Sequence, residues 1–172
     1  MSNQFLHKGL VLRWETAGLD WEFRKLWESA SRTRFIPFID EASASEGQPF
    51  PYCLFSVEGG DIVKRMSGRA ADVSNLKWHL REIPVFFTVF AKPGSGDSRD
   101  SKTIAADLAL KIMAVFGGHP DPAEQGSPEN IPLDFGEVLQ LSYQRDYGAA
   151  MDDDVYQWNV DYIALTDTPV AV

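Results

Sequence analysis

The chain has 172 residues, with 25 acidic against 16 basic side chains and a formal net charge of −9. Such an acidic surface repels phosphates and argues against a partner of free nucleic acid. The single cysteine, Cys53, excludes an internal disulfide and a thiolate metal cluster, and no apolar run approaches the roughly eighteen residues of a membrane span.

The length suits one domain, residues 1–172, large enough to bury a real core. The first residues lack the basic-then-apolar order of a signal peptide, so a soluble protein of a reducing, intracellular compartment is expected. In chain order, residues 1–16 place Phe5, Leu6, Leu10, Val11, Leu12 and Trp14 in a pattern closer to a short helix than to a strand. Ala17–Gly18 breaks it. Asp20 can cap a second helix whose face is Phe23, Leu26, Trp27 and Ala30, with Glu28 and Arg32 as a helical charge pair. Pro37 and then Glu41–Pro51 form a polar connection.

Tyr52–Val57 reads as a strand, Glu58-Gly59-Gly60-Asp61 as a hairpin turn, and Ile62–Met66 as its return. Residues 67–80 carry little periodic signal and are expected to loop. From 81 to 91 the period is two: Ile83, Val85, Phe87, Val89 and Ala91 alternate with Pro84, Phe86, Thr88 and Phe90. Both sets are largely apolar, so this strand should be covered on both faces, or on one of them by a partner chain. A polar loop, Pro93–Arg99, follows. Asp100 or Ser101 then caps a helix with Ile104, Leu108, Ile112 and Phe116 every four residues, widened by Ala105, Ala109 and Met113. Gly117 and Gly118 supply a left-handed stop, and Pro120 blocks resumption.

His119–Pro132 is a proline-rich loop. Glu137–Tyr147 alternates again, with Leu139, Leu141 and Tyr143 on one face; Gly148–Asp154 turns, and Val155–Leu165 returns. On that last strand Tyr156, Trp158, Val160, Tyr162 and Ala164 share one face and Gln157, Asn159 and Asp161 the other. The tail 166–172 should lie along the surface or reach a neighbour. The expected fold is α+β: a mostly antiparallel sheet of about five strands, one long helix packed across it, and N-terminal helices.

Chemistry is sparse. His7, His79 and His119 sit in three unrelated contexts, without the i, i+4 spacing of a metal-binding helix. Cys53 lies mid-strand, away from any helix N-terminus that would activate it. The Pro93–Arg99 loop resembles a phosphate loop only loosely, since Lys102-Thr103 lacks the preceding glycine. Asp152-Asp153-Asp154 offers three carboxylates, but consecutive residues cannot all face one cation without a loop built for it. These features give no catalytic, cofactor or metal residues, and the chain is expected not to be an enzyme.

Several local strings carry a resemblance. Pro49-Phe50-Pro51-Tyr52-Cys53-Leu54-Phe55 enters the first long strand, Arg65-Met66-Ser67-Gly68 follows its return, and Val85 to Ala91 leads into Asp97-Ser98 and Asp100-Ser101-Lys102. The chain closes on Tyr156-Gln157-Trp158-Asn159-Val160-Asp161-Tyr162. Together they span roughly residues 5–170 and resemble the tail terminator, or tail completion, family of tailed phages and prophages. The resemblance implies a virion protein, present in the host cytoplasm during assembly, whose copies form a ring, typically a hexamer. That ring caps the tail tube, contacts the major tail-tube protein and the neck or connector, and lets DNA pass its lumen without specific binding. It implies no cofactor, no membrane and no catalytic residue. The insert at 119–132 and the first helix depart from the leanest members. Surfaces for the contacts are expected at Glu58 and Asp61, at Gly94, Asp97 and Arg99, and at Asp152, Asp153 and Asp154, because loops on a rigid sheet concentrate such contacts. The alternatives are a head-completion or neck adaptor of the same virion and, from another class, a small-molecule-binding α+β domain with its pocket between sheet and helix.

Overall fold

In the computed structural model the described residues are 2–43, 46–59, 61–66, 76–93, 98–126 and 137–171. They form an α+β fold. Two N-terminal helices, α1 (Ser2–Thr16) and α2 (Leu19–Arg24), precede β1 (Phe38–Asp40), β2 (Tyr52–Val57), β3 (Asp61–Met66) and β4 (Leu76–Ala91). The long helix α3 (Ser101–Phe116) then leads to β5 (Glu137–Ala150) and β6 (Tyr156–Ala171). The sheet runs β1-β2-β4-β6-β5, with β3 also on β4; only the β1–β2 pair is parallel. Six strands stand where about five were expected.

The spine of the sheet is the β4–β6 ladder, unbroken from Leu76 opposite Ala171 to Ala91 opposite Tyr156. Sixteen residues of strand extend about 50 Å, whereas the sixteen residues of α3 extend about 24 Å. The helix therefore lies over only part of the sheet. It covers the face formed by Ile83, Val85, Phe87, Val89 and Ala91, all fully buried. Asp100 caps it, accepting from the Thr103 amide at 2.8 Å. Its inward stripe is the expected one, from Ile104 through Leu108 and Ile112 to Phe116. After it, Gly117 and Gly118 have φ of 121° and 91°. A Cβ on Gly118 would lie 2.3 Å from the Tyr143 ring, so the stop and the close approach both require glycine there. No helix among the described residues is long and apolar enough to cross a membrane.

Helix α1 packs through Leu6, Leu10 and Trp14, one every four residues and each fully buried. Trp14 stacks on Phe38 at 4.0 Å, Phe38 stacks on Phe55 at 4.0 Å, and Phe87 lies 5.8 Å from Phe38 and 5.0 Å from Phe116. Tyr162 meets Phe87 edge-on at 5.6 Å, and its hydroxyl donates to the Gly117 carbonyl at 2.7 Å. A bridge on the other side fixes α2 to α3: Glu22 accepts from Lys111 at 2.6 Å and from Lys25 at 2.5 Å. The Lys111 and then the Lys25 hydrogen bonds hold the Glu22 carboxyl below its ordinary pKa of 4.5.

Several expectations need correction. The expected β2–β3 hairpin is absent, and Gly60 of its expected turn lies outside the described residues. β2 and β3 do not pair with each other but lie end to end along one side of β4, β2 opposite 85–90 and β3 opposite 78–82. Pro84 sits at the junction, and its carbonyl accepts from the Glu58 amide at 3.0 Å. In an extended strand a residue's N–H and C=O point the same way, so the N–H that proline lacks is one that β2 or β3 would have needed. The proline explains the break. β1 was read as part of a polar connection; it is a three-residue parallel strand on β2, tied in by the Cys53 amide donating to the Pro37 carbonyl at 2.7 Å.

Asp20 caps nothing, because α2 starts at Leu19 behind a left-handed Gly18. Its carboxylate instead accepts from the Trp14 indole at 2.7 Å. The helix ends at Arg24, and Trp27 is buried in the turns beyond it, its indole donating to the Pro51 carbonyl at 2.9 Å. Arg32 does not pair with Glu28 but donates to the carbonyls of Arg24, Trp27 and Lys25. Residues 76–80, expected to loop, begin β4, and the tail is no tail: Thr166–Ala171 continues β6 against β4. In β5, shifts between Val138 and Gln140 and between Tyr143 and Arg145 mark bulges. They break the simple alternation, so Val138 joins Leu141 among the buried residues.

Two outcomes test this packing. Leu108→Ala removes a buried side chain beneath the sheet and should cost about 2–5 kcal/mol, read from the urea midpoint at unchanged slope. Glu22→Gln should lower stability by about 0.2–1 kcal/mol near neutrality, since the bridge is partly exposed. Because the folded-state pKa of Glu22 is depressed, the bridge contributes fully above 4.5 and is lost as pH falls through the lower folded value. The stability gap between wild type and Glu22→Gln, measured by denaturation across pH 7 to 3, should therefore narrow in acid.

Candidate interaction surface

Alternation along β4 and β6 puts a second set of side chains on the face of the sheet away from α3. Phe86, Thr88 and Phe90 on β4, Leu54 and Ser56 on β2, and Gln157, Asn159 and Asp161 on β6 share that face. They surround a shallow depression of about 300 Å³, with Glu41, Glu58 and Tyr147 also on its wall. Half of the sequence expectation for the central strand holds: one face is under the helix. Among the described residues no element covers the other, and Phe86, Thr88 and Phe90 are only half-buried there.

The floor of the depression is polar and tied together. The Thr88 hydroxyl donates to Asn159 Oδ1 at 3.0 Å, and Gln157 Nε2 donates to the same oxygen at 2.9 Å. Asp161 accepts from Arg145 Nε at 2.7 Å, and the Arg145 guanidinium lies 5.2 Å from the Tyr147 ring centroid. That hydrogen bond raises the arginine's already high pKa further. Asn159 and Asp161 are 7% and 6% exposed although no element among the described residues lies over the face, because the neighbours on β4 and β5 shield them. On the covered face near the same hairpin, Asp146 accepts from the Tyr143 hydroxyl and from the Trp158 indole. Burial, then the Asp146 bond, pushes the Tyr143 phenol up to about 12. The arrangement is a set of satisfied hydrogen bonds that stiffens a surface.

The expected contact residues separate into distinct places. Glu58 borders the depression at the β2–β3 junction, and Asp61 opens β3 opposite Glu82. Asp152, Asp153 and Asp154 form the exposed tip of the β5–β6 hairpin, closed by the Met151 amide donating to the Val155 carbonyl at 2.8 Å. Asp153 and Asp154 have φ of 59° and 63°, a left-handed pair that aspartate tolerates better than most residues. Arg99 follows the same end of the sheet and pairs with Asp107 of α3 at 3.5 Å. Gly94 and Asp97 lie outside the described residues. Glu58 and the aspartate tip do not converge, since the tip follows Ala150 and precedes Tyr156, opposite Ala91, six positions along β4 from Val85.

Other reactive groups are occupied. Cys53 is buried, and that burial pushes its thiol well above the ordinary range. His7 bonds Asp40 at 2.8 Å beside the Phe55 ring. Among the described residues no three His, Cys, Asp or Glu side chains converge as a metal site. The half-exposed row Leu54, Phe86 and Phe90 was legible as two-sided apolarity; the Arg145–Asp161 pair was not, because the bulge after Tyr143 sets their registry.

No protein-family model and no curated protein matches the chain. Among solved structures, a chain of the "virion of native gene transfer agent (GTA) particle" is similar over 76% of this chain and 78% of that one, with 14% identity and a TM-score of 0.42. A likeness of that size assigns neither a family nor a function.

Proposed function

We propose that the chain is a structural subunit of a phage-like virion, a tail terminator whose copies close into a ring on the end of the tail tube and join it to the head. The single observation that carries this reading is the one-sided sheet. Helices α1, α2 and α3 complete the core on one face, and the opposite face presents half-buried aromatic side chains over a rigid polar floor. Sequence strings spread over roughly residues 5–170 and similar to the terminator family support the same reading. A ring subunit needs two different surfaces that meet around a closed axis, and a sheet that among the described residues is uncovered on one face and ends at β1 and β5 offers them. The acidity fits a channel subunit. Residues 119–172 hold eleven acidic side chains and one basic one, Arg145, so a lumen lined by this hairpin would repel phosphates and let DNA slide.

Native mass spectrometry of the purified chain, with imaging of the same sample, tests the reading. The expected result is a single closed oligomer, a hexamer by the family resemblance, with a central hole, that binds one end of purified tail tubes. A chain that stays monomeric at every concentration, and leaves tail tubes uncapped, would contradict it.

A further inference from the structure

The charge of the chain is unevenly placed. Residues 1–34 carry six basic and four acidic side chains, whereas residues 35–172 carry ten basic and twenty-one acidic. Six of the sixteen basic residues lie in this N-terminal segment, and two of its four carboxylates are already used. Glu22 is taken by Lys25 and Lys111, and Asp20 by Arg24 and the Trp14 indole. Arg32 spends its hydrogen bonds on backbone carbonyls and lies over Trp21, and Arg34 lies over Phe35. Among the described residues neither arginine has a carboxylate partner.

Arg34 borders a cleft of about 400 Å³ between α1 and β1, lined by Val11, Phe35, Phe38 and Phe55 and by Asp40, which His7 holds at 2.8 Å. Ile36 is 59% exposed at its mouth, an apolar side chain in water beside an unpaired cation. The mirror image of this surface stands on the other edge of the sheet. At the β5–β6 tip Met151 is 49% exposed, followed at once by Asp152, Asp153 and Asp154, none with a cationic partner among the described residues. One surface is a concave, mainly apolar cleft with Arg34 at its rim and its own carboxylate, Asp40, bonded to His7; the other is a convex tip with an exposed Met151 and three anions. In the strand order β1-β2-β4-β6-β5 they lie on opposite sides, four strand spacings or about 19 Å apart. They cannot meet within one chain.

We propose that a second copy of this chain fills the cleft. The hairpin tip of one copy enters the groove between α1 and β1 of the next, with Met151 against Ile36 and Val11 and the aspartates against Arg34. Complementary patches on opposite edges of one subunit define a head-to-tail contact, which closes into a ring when the rotation permits. Apolar contact gives such an interface its affinity, and the charges fix its orientation and exclude wrong partners. The inference rests on the ring reading and adds which surfaces meet.

Charge exchange tests it on the full chain. Arg34→Glu and the tip variant Asp152→Lys/Asp154→Lys change only exposed side chains, and circular dichroism with thermal melting confirms that each variant folds. Arg34→Glu sets a fourth carboxylate against the three aspartates, and the tip variant turns the tip net positive beside Arg34; like charges meet in both, which costs several kcal/mol across an interface. Self-association should therefore weaken at least about tenfold, read by sedimentation. Combining Arg34→Glu with the tip variant (R34E/D152K/D154K) restores opposite charges in reversed order, and assembly should return toward wild type; a purely structural role for these residues predicts no such rescue. A second measurement locates the contact. Oxidising Ile36→Cys/Met151→Cys should give a ladder of covalent multimers, while each single cysteine gives at most a dimer. Rings that persist in both Arg34→Glu and the tip variant, with no ladder, would overturn this contact and leave the ring reading standing. A wild-type chain that never self-associates would overturn both. Wild-type-like self-association of Arg34→Glu, with lost capture of purified tail tubes, would assign the cleft to the tube protein and overturn the second copy as its occupant.

Discussion

The structure depends on a run of aromatic rings. Trp14, Phe38, Phe55, Phe87, Phe116 and Tyr162 stack or meet edge-on in a continuous series, and each comes from a different element. Such pairs are worth about 0.5–1.5 kcal/mol each beyond the area they bury. Phe38 is the junction, since it touches α1 through Trp14, β2 through Phe55 and β4 through Phe87. A strand of three residues has too few hydrogen bonds to hold itself, and the ring series explains why β1 stays in place. Phe87 does the same for the other half, receiving α3 through Phe116 and β6 through Tyr162.

All of these rings lie on one face, and that asymmetry leads to the functional reading. With the core completed on the helical side, stability does not call on the outer face, where Phe86 and Phe90 stand half-buried around Thr88 and Asn159. The satisfied bonds among Gln157, Asn159, Asp161 and Arg145 hold that face rigid without covering it. A rigid, partly apolar surface suits association, because little conformational freedom is lost when a partner arrives. The unpaired cation and anions on opposite edges follow the same division: the interior is satisfied, and the leftover valences sit where neighbours reach.

Much of this was legible in the sequence where local chemistry decides structure. The α3 stripe, its Asp100 cap, its glycine stop and the period of two in β4 are short-range patterns, and the structure contains each of them. What the sequence did not show is set by distant partners. The glycines at 59–60 read as a hairpin turn, yet β2 and β3 each pair with β4, and Pro84, more than twenty residues later, marks the break between them. Asp20 has the chemistry of a cap and serves a tryptophan instead, and residues 166–171 look like a tail until β4 offers a ladder. Ile36 and Met151, the exposed apolar residues of the proposed contact, carry no signal of exposure in a local window. Their meaning lies in the strand order that separates them.

Hydrogen exchange on the dilute and the assembled chain measures the division between a self-sufficient core and associating edges most directly. The account predicts that α3 and the middle of the β4–β6 ladder are equally protected in both samples, while segments 34–40 and 147–156 gain protection on assembly. Protection gained in α3 alone, with both edges unchanged, would contradict it.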